Sequence, residues 1–181
     1  MIALVDVNNF YVSCERLFNP KLLNKPIIVL SNNDGCIISR SNEAKLLGIK
    51  MGTPLFKAEN IIKQSNIEVL SSNYPLYADI SNRTMTLLSS FSNKQEVYSI
   101  DECFLDFSGN RETLAIGQKI KKRLRQYLGM PVCVGIAPTK TLAKLANYCA
   151  KRQGRWFGVC DLSKLSDERI NNIMSEISVA E

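Results

Sequence analysis

The alternation of apolar and polar residues along the chain predicts a regular succession of strands and helices. The apolar run 2–7 predicts a strand, and apolar residues at helical spacing up to Phe18 predict a helix that Asn19-Pro20 ends. The same patterns predict strands at 27–30, 36–38, 132–136 and 157–160, a hairpin at 96–107, and helices at 42–47, 54–63, 74–91, 112–128 and 139–152. This order is a split β-α-β arrangement, which places the end of the first strand beside the hairpin.

Two segments differ from this core pattern. Residues 19–73 combine short strands and short helices with an Asp34-Gly35 turn signal and Thr53 as a predicted helix cap, which indicates a small α+β insertion. Near the other end, Ser166-Asp167 starts a last amphipathic helix. The sequence shows no evident partner for its apolar stripe, which consists of Ile170, Ile173, Met174 and Ile177.

Two adjacent acids interrupt the apolar sequence of the predicted hairpin. Asp101 and Glu102 stand between apolar residues, where charges oppose folding unless something outside the chain stabilises them. Asp6 has similar surroundings at the end of the first strand. Three carboxylates form an oxygen-only ligand set that suits Mg²⁺, which predicts a metal-assisted phosphoryl site. Spacing alone leaves open a second interpretation, in which Asp101-Glu102 is the polar tip of a hairpin and Asp6 caps a helix.

Composition limits the class of protein and the kind of site. The 181 residues are 45% hydrophobic, enough for one domain or one and a half with a real core. No apolar stretch approaches the roughly 20 residues of a membrane span, and no basic leader precedes Asp6, so we expect a cytosolic protein. Six cysteines without a C-x-x-C pair, and no histidine, argue against a structural zinc site or a Cys/His dyad. We expect reduced thiols, mostly in the core.

Basic charge is concentrated in one segment of the chain. The net charge is +6, and residues 111–155 hold eleven Lys and Arg with Glu112 as the single acid. Such a density attracts a phosphate backbone or a triphosphate. A solvated helix face is the alternative for part of these side chains.

Three motifs, in this order along the chain, resemble those of the Y-family translesion DNA polymerases. They are Asp-Val-Asn-Asn-Phe-Tyr at 6–11, Ser-Ile-Asp-Glu at 99–102, and Gly-Ile-Ala-Pro-Thr-Lys-Thr-Leu-Ala-Lys at 135–144. The segments 30–36, 43–45 and 72–79 are similar to the UmuC-type branch of that family rather than to its DinB-type branch. The resemblance extends over essentially the whole chain.

The resemblance implies an α+β fold with a ferredoxin-like palm and a small inserted α+β fingers domain. In such a palm, helices cover one face of a mixed or antiparallel sheet. On this basis residues 1–18 and 74–163 form the palm, 19–73 the fingers, and 164–181 the start of a truncated thumb. Family members continue into a helix-hairpin-helix thumb and a little-finger domain. We therefore expect this chain to be the N-terminal palm and fingers portion of such a polymerase.

The resemblance also implies roles for the acids. Asp6, Asp101 and Glu102 are expected to be catalytic and to hold two Mg²⁺ ions, which Mn²⁺ can replace, with the carbonyl of Val7 as a further ligand. Two metal ions about 4 Å apart activate the primer 3′-hydroxyl and neutralise the leaving pyrophosphate. Asp106, on the same hairpin, is expected to be structural.

Residues of the first motif are expected to bind the incoming nucleotide. Tyr11 stands at the position of the family's steric gate, where an aromatic ring under the sugar excludes a 2′-hydroxyl. Its alternative is a core tyrosine. The backbone N–H groups of Asn9, Phe10 and Tyr11, at a helix start, suit triphosphate oxygens.

Three further polar residues complete the expected substrate site. Lys144 aligns with a palm lysine that contacts the triphosphate, and its alternative is a solvated helix lysine. Asn42 and Lys45 stand where the commoner family pattern has Tyr and Arg. Lysine neutralises a phosphate but cannot form the bidentate hydrogen bonds of arginine. Asparagine has a shorter polar side chain than tyrosine.

The function that the resemblance implies is error-prone DNA synthesis across damaged template bases in the bacterial SOS response. Primer-template DNA and dNTPs are then the substrates, and a processed UmuD dimer, RecA and the sliding clamp are the expected partners. The expected location is the cytoplasm, at the nucleoid, with no membrane contact. Two alternatives remain: a catalytically silent fragment that keeps metal and dNTP binding and partner contacts, and a nucleotide cyclase, against which the fingers insertion and Tyr11 argue.

Overall fold

The computed structural model describes residues 1–152 and 154–177. The strands are β1 (Ile2–Val7), β2 (Ile27–Leu30), β3 (Ile37–Arg40), β4 (Glu68–Leu70), β5 (Gln95–Val97), β6 (Glu102–Asp106), β7 (Val132–Ala137) and β8 (Val159–Asp161). The helices are α1 (Phe10–Phe18), α2 (Asn42–Leu46), α3 (Leu55–Gln64), α4 (Tyr74–Ser89), α5 (Thr113–Leu128), α6 (Lys140–Arg152) and α7 (Asp167–Ser175). The chain divides into two compact units, and helix α4 contributes to both. The first unit contains Met1–Val7 and the chain from Asn82 onward, and the second contains Asn8–Ser81.

The first unit is built on a five-stranded sheet in the order β5-β6-β1-β7-β8. Strand β1 lies in the centre and pairs antiparallel with β6 and β7, while β8 runs parallel to β7. In this register Asp6 lies opposite Glu102 on one side and Cys133 on the other. The predicted α+β class with a mixed sheet is confirmed.

Helices cover both faces of this sheet. A Cβ on Gly117 of α5 would contact Val134 and Ile136, so α5 packs on the face to which these two residues point. Gly135 lies between them and faces the other way, since side chains alternate along a strand, and there it meets the backbone of α6. Helices were expected on one face of the sheet. Helix α5 covers one face, and α6 adds a second helical layer on the opposite face.

Helix α4 lies on the α5 side of the sheet. The amide Nε2 of Gln95 donates to the carbonyl of Met85 in α4 at 2.9 Å and to Cys103 Sγ at 3.2 Å. Cys103 pairs with Val5, and Val5 pairs with Val134, so these side chains share one face. The acids Asp6 and Glu102 belong to the other face, which α6 covers.

Helix α7 closes the apolar core on the α6 face. Ile173 is 4% exposed, and Ile170 and Ile177 pack against the same cluster, which includes Leu4 and Phe104. Three residues of the stripe, for which the sequence shows no evident partner, therefore pack against this core. The partner was not visible in the sequence because it is assembled from strands and a helix far away along the chain.

The second unit contains a three-stranded sheet in the order β3-β2-β4. Strand β2 is completely buried, with β3 antiparallel and β4 parallel to it. Ala44 of α2 and Ala58 of α3 pack against Ile28 and Ile37 in one apolar cluster. Strand β4 was not predicted because it has three residues with two of them exposed, and so lacks an apolar pattern.

Two local predictions for the second unit meet different outcomes. The Asp34-Gly35 signal does mark a turn between antiparallel strands, where Asn33 and Asp34 adopt positive φ. Thr53, however, does not cap α3, because Pro54 occupies the cap position and the Thr53 hydroxyl donates to the carbonyl of Lys50 at 2.9 Å.

Five of the six cysteines are buried and Cys36 is partly buried, which confirms the prediction that they lie mostly in the core. In the part of the chain that the structure describes, no helix combines the length and the apolar character needed to cross a membrane.

Candidate active site

Two of the predicted catalytic acids lie side by side at the same end of the central strands. Asp6, on β1, is directly opposite Glu102, the first residue of β6. Asp101 precedes β6, and its carbonyl accepts a hydrogen bond from the N–H of Val7 at 3.0 Å. The fold therefore brings the first and second motifs together, as the split β-α-β arrangement predicted.

Ser99 orients the turn that carries Asp101 and Glu102. Its hydroxyl donates to Asp101 Oδ1 at 2.7 Å and accepts from the N–H of Glu102 at 3.1 Å. The side chain of Asp101 is thereby held against the turn by a hydrogen bond to a charged acceptor, a stronger type of bond. The sequence shows Ser99 only as part of a motif and does not indicate this role.

Helix α6 presents three lysines to acids on three adjacent strands. The exposed fraction of the acid side chains decreases from 52% on β5 to 20% on β6 and 11% on β1. The pairs, with Nζ to carboxylate oxygen distances, are Lys140 with Glu96 (2.7 Å), Lys144 with Glu102 (3.5 Å) and Lys151 with Asp6 (2.6 Å).

The pairing of Lys151 with Asp6 was missed in the sequence, where Lys151 counted only as part of the basic segment. One signal was available, because Lys144 and Lys151 are seven residues apart and a helix turns twice in about seven residues. The two lysines therefore share one face of α6.

Burial dominates the ionisation of Asp6. It raises the pKa of this carboxyl to about 6, although the charge and hydrogen bond of Lys151 act in the opposite direction. The negative charges of Asp101 and Glu102 contribute a further increase in the same pKa. The site thus gathers like charges around a buried carboxylate, an arrangement typical of functional sites.

The donor set suits a hard divalent ion, since it consists of carboxylate oxygens. Within residues 1–152 and 154–177, however, no cluster of three or more Cys, Asp or Glu side chains is arranged to hold a metal ion. Lysine ammonium groups neutralise Asp6 and Glu102 instead. The metal assignment of Asp6, Asp101 and Glu102 stays a prediction, as does the Val7 carbonyl ligand.

Lys144 has a second neighbour besides Glu102. Its ammonium nitrogen lies 4.3 Å from the ring centroid of Tyr98, which is 54% exposed. The lysine is itself partly exposed, so an anion entering from solvent has access to its charge. This placement is compatible with the predicted triphosphate contact.

In the second unit, Tyr11 belongs to an aromatic cluster. Its ring stacks on that of Tyr77 with centroids 4.4 Å apart, and Tyr74 contacts it edge-on. Tyr77 is fully buried, its hydroxyl donates to Glu15 at 2.7 Å, and burial raises its pKa. Tyr11 itself remains partly exposed.

Three predicted substrate residues form one polar network in the second unit. Asn9 donates through Nδ2 to Asn42 Oδ1 at 3.0 Å, and Lys45 donates to Asn9 Oδ1 at 2.5 Å. Asn9 has φ 49 and precedes α1, which begins at the buried Phe10. The N–H groups of Phe10 and Tyr11 therefore belong to the first helical turn, where amides have no intrahelical acceptor.

The basic segment divides into two surfaces. The lysines of α6 named above pair with acids, whereas α5 carries five cations and no acid and packs on the opposite face of the sheet. Lys121 donates to the carbonyl of Phe157, and Arg123 lies over the Phe91 ring. No ion pair involves Lys119 or Lys122 in the part of the chain described.

Comparison with known proteins shows the family to which the chain belongs. Residues 5–148 match the profile of the impB/mucB/samB family. The chain is 45% identical to Protein ImpB of Salmonella typhimurium, covering 100% of this chain and 43% of that protein. It is 49% identical to Protein UmuC of Salmonella typhimurium strain LT2, covering 93% and 41%. The chain therefore belongs to the impB/mucB/samB family, and it spans less than half the length of these two relatives.

Solved structures show the same fold. The insertion ternary complex of Dbh DNA polymerase superimposes with a TM-score of 0.83 at 30% identity, over 99% of this chain and 53% of that one. A Y-family DNA polymerase chimera gives 0.82 with the same identity, over 99% and 53%. The resemblance to Y-family polymerases inferred from the motifs is confirmed.

Proposed function

We propose that this chain carries the catalytic acids and nucleotide-binding residues of a DNA-directed DNA polymerase that adds deoxynucleotides to a primer 3′ end. The observation that carries the proposal is the placement of Asp6 directly opposite Glu102 on adjacent strands, with Asp101 immediately before β6. The family match and the fold of polymerases with bound substrates support it.

The proposed cofactor is Mg²⁺, as two ions held by Asp6, Asp101 and Glu102 with the carbonyl of Val7. When bound, such ions activate a hydroxyl nucleophile and neutralise a leaving pyrophosphate. Burial of Asp6 and the nearby charges of Asp101 and Glu102 leave carboxylates that a divalent cation stabilises well. Ser99 keeps the Asp101 carboxylate oriented.

The remaining residues have proposed roles in binding the nucleotide. Lys144 supplies positive charge to the triphosphate, and the N–H groups of Asn9, Phe10 and Tyr11 donate hydrogen bonds to its oxygens. The partly exposed ring of Tyr11, supported by its stacking on a buried tyrosine, excludes a ribose 2′-hydroxyl. The network of Asn9 with Asn42 and Lys45 holds a polar surface beside the start of α1.

The biological setting is also a proposal. Similarity to UmuC supports lesion bypass in the SOS response, in the bacterial cytoplasm at the nucleoid, with processed UmuD, RecA and the sliding clamp as partners. The assignment of residues 1–18 and 74–163 to a palm, 19–73 to fingers and 164–181 to the start of a thumb belongs to the same proposal.

Primer extension tests the proposal. The purified chain is incubated with a labelled primer-template, dNTPs and Mg²⁺, beside Asp101→Ala and a control, Asp106→Asn. Asp106 is the last residue of β6, the strand that Asp101 precedes, and hydrogen bonds from Ser108, including its N–H at 2.8 Å, lower the pKa of the Asp106 carboxyl. We expect extension by wild type and Asp106→Asn and its loss in Asp101→Ala. Equal extension by all three would contradict the assignment of the acids.

A further inference from the structure

The shortest contact of a predicted metal-binding acid is with a lysine. Lys151 Nζ lies 2.6 Å from Asp6 Oδ2, and the side chain of Asp6 is 11% exposed whereas that of Lys151 is 37% exposed. The carboxylate is thus almost withdrawn from solvent, and the ammonium group provides its compensating charge. Any other cation that binds Asp6 meets a site that already holds a positive charge.

The position of Lys151 is fixed by the packing of α6. One turn earlier, the buried Asn147 donates through Nδ2 to the carbonyls of Leu4 and Cys133, at 3.2 and 3.0 Å, and so attaches the helix to both β1 and β7. Asp6 is two residues beyond Leu4 on the same face of β1. The lysine therefore reaches Asp6 from a helix that is hydrogen-bonded to the sheet.

We propose that Lys151 is a positioning residue that acts as the resident cation of Asp6, so that a divalent metal ion must compete with its ammonium group for the carboxylate. This rests on the proposed metal site. It goes beyond that site because it assigns a residue that sets how strongly metal binds in the absence of nucleotide. The ammonium orients the buried carboxylate and weakens binding of the bare ion.

The neighbouring pairs differ from this one and provide an internal control. Lys144 lies farther from Glu102, at 3.5 Å, and shares its charge with the Tyr98 ring. Lys140 pairs with Glu96, which is 52% exposed and is not among the proposed ligands. Removing the charge of Lys140 therefore changes the net charge of α6 without uncovering a ligand.

Titration with Mn²⁺ alone, followed by electron paramagnetic resonance of the free ion at pH 8, tests the proposal. The proteins are wild type, Lys151→Met, Lys151→Gln, Lys151→Arg, Lys140→Met and Asp6→Asn. We expect the two neutral substitutions at Lys151 to tighten Mn²⁺ binding about tenfold, since like charges that share a carboxylate repel at short range. Lys151→Arg, which keeps the charge, and Lys140→Met should bind as wild type does.

The outcomes separate the two proposals. If Asp6→Asn weakens Mn²⁺ binding but neutral residues at position 151 leave it unchanged or weaker, the metal site stands and the role of Lys151 is overturned. If no protein binds Mn²⁺ in a manner that depends on Asp6, both proposals fail. If Lys140→Met tightens Mn²⁺ binding as much as Lys151→Met does, the effect follows from net charge alone. That result would also overturn the role of Lys151. Thermal melts of each variant establish that the comparison is made on folded protein.

Discussion

A Cβ atom on Gly135 would lie 2.1 Å from the backbone nitrogen of Asn147. Strand β7 and helix α6 therefore touch backbone to backbone, which glycine alone permits. Because α6 carries Lys144 and Lys151, this contact also sets the height of both lysines above the acids of the sheet.

The first prediction concerns this contact. Gly135→Ala should strongly destabilise the protein, by several kcal/mol or to the point of insolubility, because the added methyl group meets backbone rather than a movable side chain. Thermal or urea unfolding measures the decrease. Gly154→Ala is the matched control, since a Cβ there meets nothing within 4 Å, and it should unfold like wild type. Similar stability of the two variants would show that α6 can withdraw from β7 at little cost.

The second prediction is a pH dependence of stability that originates at Asp6. Burial raises the pKa of Asp6 to about 6, so the folded state binds this proton more tightly than the unfolded state, in which the carboxyl has its ordinary pKa of 3.8. Stability should therefore fall as the pH rises from below 3.8 to above about 6, by about 3 kcal/mol in total for a pKa difference of about two.

Replacing Asp6 by asparagine removes this cost and still offers an oxygen to Lys151. Without metal, the free energy of unfolding of Asp6→Asn should exceed that of wild type at pH 7.5 and match it near pH 4. Urea unfolding at both pH values provides the comparison. A less stable Asp6→Asn at pH 7.5 would mean that the ion pair with Lys151 outweighs burial.

The strands and their acids were predictable because the relevant information is local. The apolar run that ends at Asp6 and the interrupted hairpin at Asp101-Glu102 predicted two strands, and the order of elements predicted their pairing. Strand β1 has the bounds inferred from the sequence, and Asp6 does face Glu102.

The lysine pairs and the packing of α7 were not predictable in the same way. Lys151 meets Asp6 across 145 positions of the chain, and Ile173 enters a core assembled from β1, β6, β7 and α6. Both depend on which face of the sheet a helix covers. A pattern of apolar residues shows that a helix has a buried side, but it does not show on which face of the sheet that helix packs.

The third prediction concerns sugar selection by Tyr11. We expect Mg²⁺ with a dNTP to stabilise wild type more than Mg²⁺ with the corresponding rNTP, and Tyr11→Ala to remove this difference by admitting the 2′-hydroxyl. Thermal shifts with the two nucleotides measure the discrimination. Tyr74→Ala, which removes another ring of the same aromatic cluster, should retain it. Unchanged discrimination in Tyr11→Ala would make Tyr11 a packing residue.

The fourth prediction concerns weak, salt-dependent DNA binding. The exposed cations Lys119, Lys122 and Arg125 lie on α5, a helix without acidic residues. The lysines of α6, in contrast, pair with acids of the sheet. Replacing all three by glutamine should make the slope of log affinity against log salt shallower by about 2 to 3, because each phosphate that a cation neutralises contributes about 0.9 to that slope.

Titration of labelled duplex DNA at several salt concentrations measures this slope. The matched control removes the same charge from exposed lysines of the second unit, Lys21, Lys50 and Lys57, and should leave the slope nearly unchanged. An equal change of slope in the two triple variants would indicate that binding follows net charge and has no preferred surface.

The central claim is that Asp6, Asp101 and Glu102 together bind a metal-nucleotide complex, and thermal denaturation with Mg²⁺ and a dNTP tests it most directly. Ligand binding to the folded state raises the melting temperature by mass action, so wild type should melt higher with the complex than without it. Asp101→Ala should not show that increase, while the control Asp106→Asn should keep it. The account would be contradicted by an equal increase in wild type and Asp101→Ala.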